Sequence, residues 1–116
     1  RHAEETLVGI LVEGKEGIEN LSEIAKVPGI DLIYLGMYDI SQSVGLSGQL
    51  EHPEVLAQLE RCLKLIQDGG KLPGTFARDL PACRLFRDLG FRFVAYVADS
   101  HGLTEFFGQA VQRFKG

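Results

Sequence analysis

Tryptophan is absent from this 116-residue chain, methionine occurs once, cysteine twice and proline four times. Two cysteines cannot build a disulfide scaffold. Cys62 and Cys83 stand 21 residues apart, with no CxxC pair and no histidine spaced for zinc, so they read as reduced thiols inside helices of a cytoplasmic protein. No apolar run approaches the roughly 18 residues that a membrane-spanning helix needs. The polar opening, Arg1 to Thr6, lacks signal-peptide character, and a start on Arg1 rather than Met fits a processed product or a piece of a longer chain. A basic surplus is also missing: the net charge is −4 and the pI near 5.3, which argues against nucleic acid as the main partner. Charge is uneven, with eleven acids and three bases in residues 1–60 and five acids and nine bases in residues 61–116. The arginines of the second half are spaced along expected helices rather than clustered.

What remains is an ordinary globular composition, 45% hydrophobic and 24% charged, with room for a single domain over residues 1–116. Apolar runs alternate four times with amphipathic stretches. Leu7 to Val12 is too apolar to have a wet face, as in a strand buried on both sides. Ile18, Leu21, Ile24 and Ala25 then recur at helical spacing until Pro28-Gly29. Leu32 to Leu35 is the second strand, ending at Gly36, and a glycine-bearing loop is expected from Met37 to about His52. Pro53 opens a helix whose face carries Val55, Leu56, Leu59, Cys62, Leu63 and Ile66 and which ends at Gly69-Gly70. Leu72 to Ala77 is the third strand, followed by a helix capped by Asp79 and closed by Gly90. Phe91 to Ala98 is the fourth, followed by a helix capped by Asp99 or Ser100 and striped by Leu103, Phe106, Phe107, Ala110, Val111 and Phe114.

Four successive strand–helix units with short connections predict an α/β fold with a parallel sheet. Periodicity leaves two architectures open. A doubly wound sheet carries helices on both faces. A barrel-type order with right-handed crossovers puts every helix on one face, leaving the other bare and two sheet edges open. A complete (β/α)8 barrel needs about 250 residues, so this chain is close to half of one.

In parallel α/β folds, chemistry gathers where strands end. Here those ends read Val12-Glu13-Gly14, Gly36-Met37-Tyr38-Asp39, Ala77-Arg78-Asp79 and Ala98-Asp99-Ser100. Alternation puts Glu13 on the face of Leu7, Gly9 and Leu11, while Val8, Ile10 and Val12 face the helices. Adjacent parallel strands lie about 4.8 Å apart, so Glu13 and Asp39 can reach one cation. Two carboxylates, with other positions left to water and substrate, suit Mg²⁺ or Mn²⁺. The competing reading is that strand-end acids cap helices.

The words themselves are more specific. Gly9-Ile10-Leu11-Val12-Glu13, Gly17 to Ile24, Val27 to Asp31, Gly36 to Gly45, His52 to Leu56 and Gly90 to Ala95 occur in that order. Together they resemble the C-terminal half of the HpcH/HpaI family of class II pyruvate aldolases, over nearly the whole chain. The resemblance implies four successive βα units from the C-terminal half of a (β/α)8 TIM barrel, part of a larger barrel. It also implies Glu13 and Asp39 as ligands of Mg²⁺, Mn²⁺ or Co²⁺, matching the family's spacing at 26 residues. The backbone amides of Tyr38 and Asp39 would hold the carboxylate of pyruvate or a related 2-oxo acid, and the metal would stabilise its enolate during aldol cleavage or addition.

Two departures accompany the resemblance. Met37 stands where the family has proline, restoring an N–H and freeing φ. The family's catalytic histidine and pyruvate-binding arginine lie on the N-terminal half of the barrel, so no residue of this chain is assigned as catalytic. A missing half or a second chain would supply them, and a homo-oligomer is expected because relatives exchange the last helix between subunits. The alternative is a non-catalytic half-barrel used for assembly or for binding a metal–carboxylate ligand. Elsewhere the plainer readings prevail. His2 belongs to the tail, His52 caps or meets solvent, and Arg78 makes a surface ion pair. Ser41 and Ser43 satisfy loop backbone, Gly45 to Gly48 lacks the lysine of a phosphate loop, and Asp99 is a cap. His101 follows the last strand end, and for it too the plainer reading is a position that does not face the site.

Overall fold

The computed structural model describes residues 2–116, with side chains from Glu4 onward; Arg1 and the His2 side chain, assigned to the tail, lie outside the described residues. Four short strands form one parallel sheet in the order β1-β2-β3-β4: β1 Gly9–Val12, β2 Leu32–Leu35, β3 Leu72–Ala77 and β4 Phe93–Tyr96. Gly9 pairs with Leu32, Tyr34 with Gly74 and Ala77 with Tyr96. Six helices follow the strands: α1 Gly14–Glu19, α2 Leu21–Ile24, α3 Met37–Ser43, α4 Pro53–Asp68, α5 Leu80–Leu89 and α6 Asp99–Lys115. The strand order resolves the alternative left by periodicity. Strands that follow one another in space as in sequence, each joined by a helical crossover, make the half-barrel and not the doubly wound sheet.

The core lies between one face of the sheet and the helices. Val12, Ile33, Leu35 and Ala77 point from the strands onto Ile18, Leu21, Val55, Leu59, Cys62, Ile66 and Phe86. Full burial of each large aliphatic side chain contributes about 1.5–3 kcal/mol, and this layer is what orders the sheet. Thr75, fully buried, donates its hydroxyl to the Leu35 carbonyl at 3.0 Å, so the core's polar atom is satisfied.

The opposite face is uncovered. Leu11, Leu72, Phe76 and Phe93 are exposed on it. Tyr34 and Phe93 meet edge-on across β3, their ring centroids 6.4 Å apart. Gly74 lies between them because a Cβ there would come within 3.3 Å of both rings. No residue of α6 is buried, and its aromatic stripe stands in solvent, with Phe114 at 93% exposure. The result is a slab of 55 × 44 × 23 Å. Its radius of gyration of 16.6 Å exceeds the value of about 13 Å for a compact domain of this length.

Local signals behave as expected at several junctions. His52 caps α4, its Nδ1 accepting from the Glu54 N–H at 3.2 Å, and Asp79 caps α5, its Oδ1 accepting from the Ala82 N–H at 2.8 Å. Gly90 ends α5 at φ 111°, a left-handed position suited to glycine.

Four details differ. The expected loop from Met37 begins as helix α3, because burial of Ile40 and Ser41 outweighs the local turn signal. Ser41 ties α3 to the loop behind it, donating to the Tyr38 carbonyl at 2.7 Å and accepting from the Gly48 N–H at 2.9 Å. The Ile18 to Ala25 stripe is broken at Asn20, whose side chain donates to the Glu16 carbonyl at 2.9 Å and separates α1 from α2. The last strand is shorter than Phe91 to Ala98 because Val97 adopts φ 57°, a costly left-handed turn for a β-branched residue. Finally, Ala98 is the N-cap of α6. Asp99 lies inside the first turn, accepting from the Ser100 N–H at 2.7 Å, so neither Asp99 nor Ser100 is the cap. Among the described residues, no helix is long and apolar enough to cross a membrane.

Candidate functional site

Glu13 leaves β1 in extended conformation at φ −141° and ψ 163° and occupies the N-cap position of α1. Its side chain accepts no hydrogen bond from that helix, so capping does not account for it. Gly14 follows at φ 73°, a turn that an L side chain rarely makes, and swings the chain into α1.

Asp39 stands one strand away, in the first turn of α3. Its Oδ1 accepts a hydrogen bond from the Gly14 N–H at 3.1 Å, which joins the β1–α1 and β2–α3 junctions. The other oxygen, Oδ2, rests against Gly36. A Cβ on Gly36 would lie 2.6 Å from that oxygen and 3.7 Å from the Glu13 Cβ. The absence of a side chain at Gly36 therefore leaves a space bordered by both carboxylate-bearing residues. Half-buried Asp39 and exposed Glu13 present hard oxygen donors at neighbouring strand ends, a donor set suited to a divalent cation. Among the described residues no third histidine, cysteine or acid joins them.

Gly36 caps α3, and the Ile40 N–H is the first to bond back into the helix, to the Gly36 carbonyl at 3.1 Å. The Met37, Tyr38 and Asp39 N–H groups thus have no intrahelical acceptor, as at any helix start. Beside them opens a cavity of about 570 Å³ whose lining includes Tyr34, Tyr38, Asp39, Phe76, Arg78 and Leu85. Burial raises the Tyr34 hydroxyl pKa above its ordinary value. A second, polar cleft of about 430 Å³ is lined by Lys15, Asp39, Gln42 and Ser43.

The remaining strand-end residues separate clearly. Asp79 is occupied as a cap. Ser41 and Ser43 donate to backbone carbonyls, Ser43 to Ile40 at 2.7 Å. His101 is exposed at the start of α6 and lines neither cleft holding Asp39. Arg78 departs from expectation: among the described residues it has no ion pair and no hydrogen bond, and it lines the larger cavity instead. Cys62, deep in the core, has its thiol pushed up to about 11 by burial, with the nearby Arg61 charge opposing, and lies apart from the site. The sequence reading missed the supporting roles of Gly36 and Gly14. A glycine next to each carboxylate-bearing segment was the available signal.

Comparison with known proteins agrees with this architecture. The family model for HpcH/HpaI aldolase/citrate lyase matches residues 1–105. A hydroxypyruvate/pyruvate aldolase of Pseudomonas aeruginosa is 36% identical over 116 residues, covering 99% of this chain and 43% of that protein. A 4-hydroxy-2-oxo-heptane-1,7-dioate aldolase of Salmonella paratyphi C is 35% identical over 91 residues, covering 78% of this chain and 35% of its own length. The crystal structure of an HpcH/HpaI aldolase/citrate lyase family protein from Burkholderia cenocepacia superposes with a TM-score of 0.84 at 32% identity, covering 96% of this chain and 43% of that one. The chain thus spans less than half the length of these relatives, as a half-barrel does. By its family match, its identity to curated aldolases and its strand order, the chain belongs to the HpcH/HpaI aldolase/citrate lyase family.

Proposed function

We propose that this chain supplies the metal-binding half of a (β/α)8 carbon–carbon lyase acting on pyruvate or a related 2-oxo acid. The observation that carries the reading is the space at Gly36 bordered by both Glu13 and Asp39, with Asp39 anchored by the Gly14 N–H. Glu13 and Asp39 hold the cation, Mg²⁺, Mn²⁺ or Co²⁺. When bound, that ion supplies the Lewis acidity that stabilises an enolate. The Tyr38 and Asp39 N–H groups, without intrahelical acceptors, donate to the substrate carboxylate and fix its orientation. The cavity beside them takes the rest of the carbon skeleton, with Phe76 and Leu85 on its apolar wall.

No residue here is assigned the proton transfer. The catalytic base and a carboxylate-binding arginine come from the other half of the barrel or from a second chain. The bare sheet face and the exposed stripe of α6 support assembly of this kind, into a completed barrel within a homo-oligomer. The free thiols Cys62 and Cys83 support a reducing, cytoplasmic setting. The alternative is a non-catalytic half-barrel used for assembly or for binding a metal–carboxylate ligand.

Calorimetric titration of Mn²⁺ into the intact protein, with oxalate as an enolate mimic, tests the site. Binding strengthened by oxalate and lost in Asp39→Asn is the expected result. Absence of binding in the unsubstituted protein overturns the metal reading. Aldol cleavage assayed on the same preparation then separates lyase from binding module.

A further inference from the structure

Alternation along β2 sets Ile33 and Leu35, both fully buried, against the helices and returns Tyr34 and Gly36 to the uncovered face of the sheet. Among the strand residues of that face, Tyr34 alone carries a polar side-chain group. Its ring rests against Gly74 of β3, where a Cβ would come within 3.3 Å, and lies edge-on to Phe93. The phenol hydroxyl has no hydrogen-bond partner among the described residues. Nor is it sealed in, since no polar side-chain atom of those residues is both fully buried and unpaired. Tyr34 lines the cavity of about 570 Å³ together with Asp39, so its hydroxyl opens onto the space that a ligand would enter. A phenol on an apolar wall gains most from a partner that arrives with the ligand.

Position and protonation narrow what that partner is. Two residues along a strand span about 6.6 Å, which puts Tyr34 one layer beneath Gly36 and the space bordered by Glu13 and Asp39. Burial raises the Tyr34 pKa, so the phenol keeps its proton at neutral pH and is available as a donor. On the proposed reading, the Tyr38 and Asp39 amides take the substrate carboxylate, and the keto oxygen lies with the cation at Glu13 and Asp39. One oxygen is left without a protein donor. It is the oxygen that the acceptor aldehyde contributes, two carbons beyond the keto carbon, a carbonyl before aldol addition and a hydroxyl after it.

We infer that Tyr34 is a substrate-binding residue whose hydroxyl donates a hydrogen bond to the oxygen contributed by the acceptor aldehyde. The inference rests on the proposed 2-oxo acid reading of the site. The proton stays on Tyr34 throughout; the bond orients the acceptor and leaves proton transfer to other groups.

The test compares 2,4-dihydroxybutanoate with 2-hydroxybutanoate, which share a carbon skeleton and differ by the hydroxyl in question. Neither has a keto group, so neither is cleaved, and each is titrated calorimetrically into the Mn²⁺-loaded intact protein. The dihydroxy acid is expected to bind about 3–10-fold more tightly, the range for a neutral hydrogen bond. Tyr34→Phe keeps the ring and should erase that difference by weakening the dihydroxy acid alone, with oxalate binding and the thermal midpoint unchanged. Equal affinities in the unsubstituted protein, or a preference that survives Tyr34→Phe, overturns the role of Tyr34 while leaving the 2-oxo acid site standing. Equal weakening of both acids and of oxalate in Tyr34→Phe overturns it too, because that is the mark of lost packing. Binding of neither acid nor oxalate to the unsubstituted protein overturns the inference together with the reading beneath it.

Discussion

Asp39 Oδ1 accepts the Gly14 N–H at 3.1 Å, a single hydrogen bond between residues 25 apart that locks two strand ends together. It gives Asp39 a structural role separable from its charge. Asp39→Asn keeps an acceptor for Gly14 and should hold the fold while abolishing Mn²⁺ binding. Asp39→Ala should also lose about 1–2 kcal/mol in urea denaturation, since a half-buried donor is left unpaired. Equal stability of the two variants would refute the structural role.

Gly36→Ala tests the space at Gly36 from the other side. Its backbone, at φ −77° and ψ 109°, suits alanine, so conformation is not the obstacle. The added Cβ would lie 2.6 Å from Asp39 Oδ2, and the carboxylate must swing away. The expected outcome is a folded protein, destabilised no more than Asp39→Ala, that binds Mn²⁺ about tenfold or more weakly, as when a ligand's supporting contacts are disturbed.

At Gly69 the same substitution meets backbone. A Cβ there would lie 2.6 Å from the Ala25 carbonyl oxygen and 2.7 Å from the Ala25 Cβ, and neither can rotate aside. Gly69→Ala should cost about 1–3 kcal/mol in chemical denaturation by forcing α2 and α4 apart.

Burial of Cys62 predicts a pH dependence. The folded thiol is pushed up to about 11 from an ordinary value of 9.0, so the unfolded chain releases its proton first as pH rises. The contribution to stability is complete below about pH 9 and is lost as pH climbs to about 11. Tyr34, also raised by burial, adds to the loss at the alkaline end. Urea midpoints measured across this window should fall, and less steeply in Cys62→Ala. Thiol reagents should label half-buried Cys83 before Cys62.

The uncovered surfaces predict association. Leu11, Phe76 and Phe93 on the sheet and Phe106, Phe107 and Phe114 on α6 together leave a large apolar area in water. The chain by itself should bind a hydrophobic dye and sediment as concentration-dependent oligomers. Phe107→Asp should reduce that association without lowering the thermal midpoint, because Phe107 is largely exposed, its ring edge-on to that of Phe106 with centroids 5.5 Å apart.

Local chemistry made much of this protein legible from its residues. Four apolar runs marked four strands, Pro53 and Gly90 bounded helices, and His52 and Asp79 announced themselves as caps. Glu13 and Asp39 stood out because each follows an apolar strand closely, and the motif around them carried the family. These signals concern neighbours in the chain, and periodicity and capping are properties of neighbours.

What only the tertiary structure decided involves residues far apart in sequence. Apolar alternation shows that a strand has two greasy faces and not which element covers each, so periodicity left the doubly wound sheet open; the motif resemblance implied the half-barrel, and the strand order bears it out. Helix α3 arose inside an expected loop because Ile40 and Ser41 found burial against distant segments. Among the described residues Arg78 lacks the ion pair its surroundings suggested, since the adjacent acid, Asp79, accepts from the Ala82 N–H instead. The meeting of Asp39, Gly14 and Gly36 is likewise a product of the sheet register, which brings together groups that chain order holds apart.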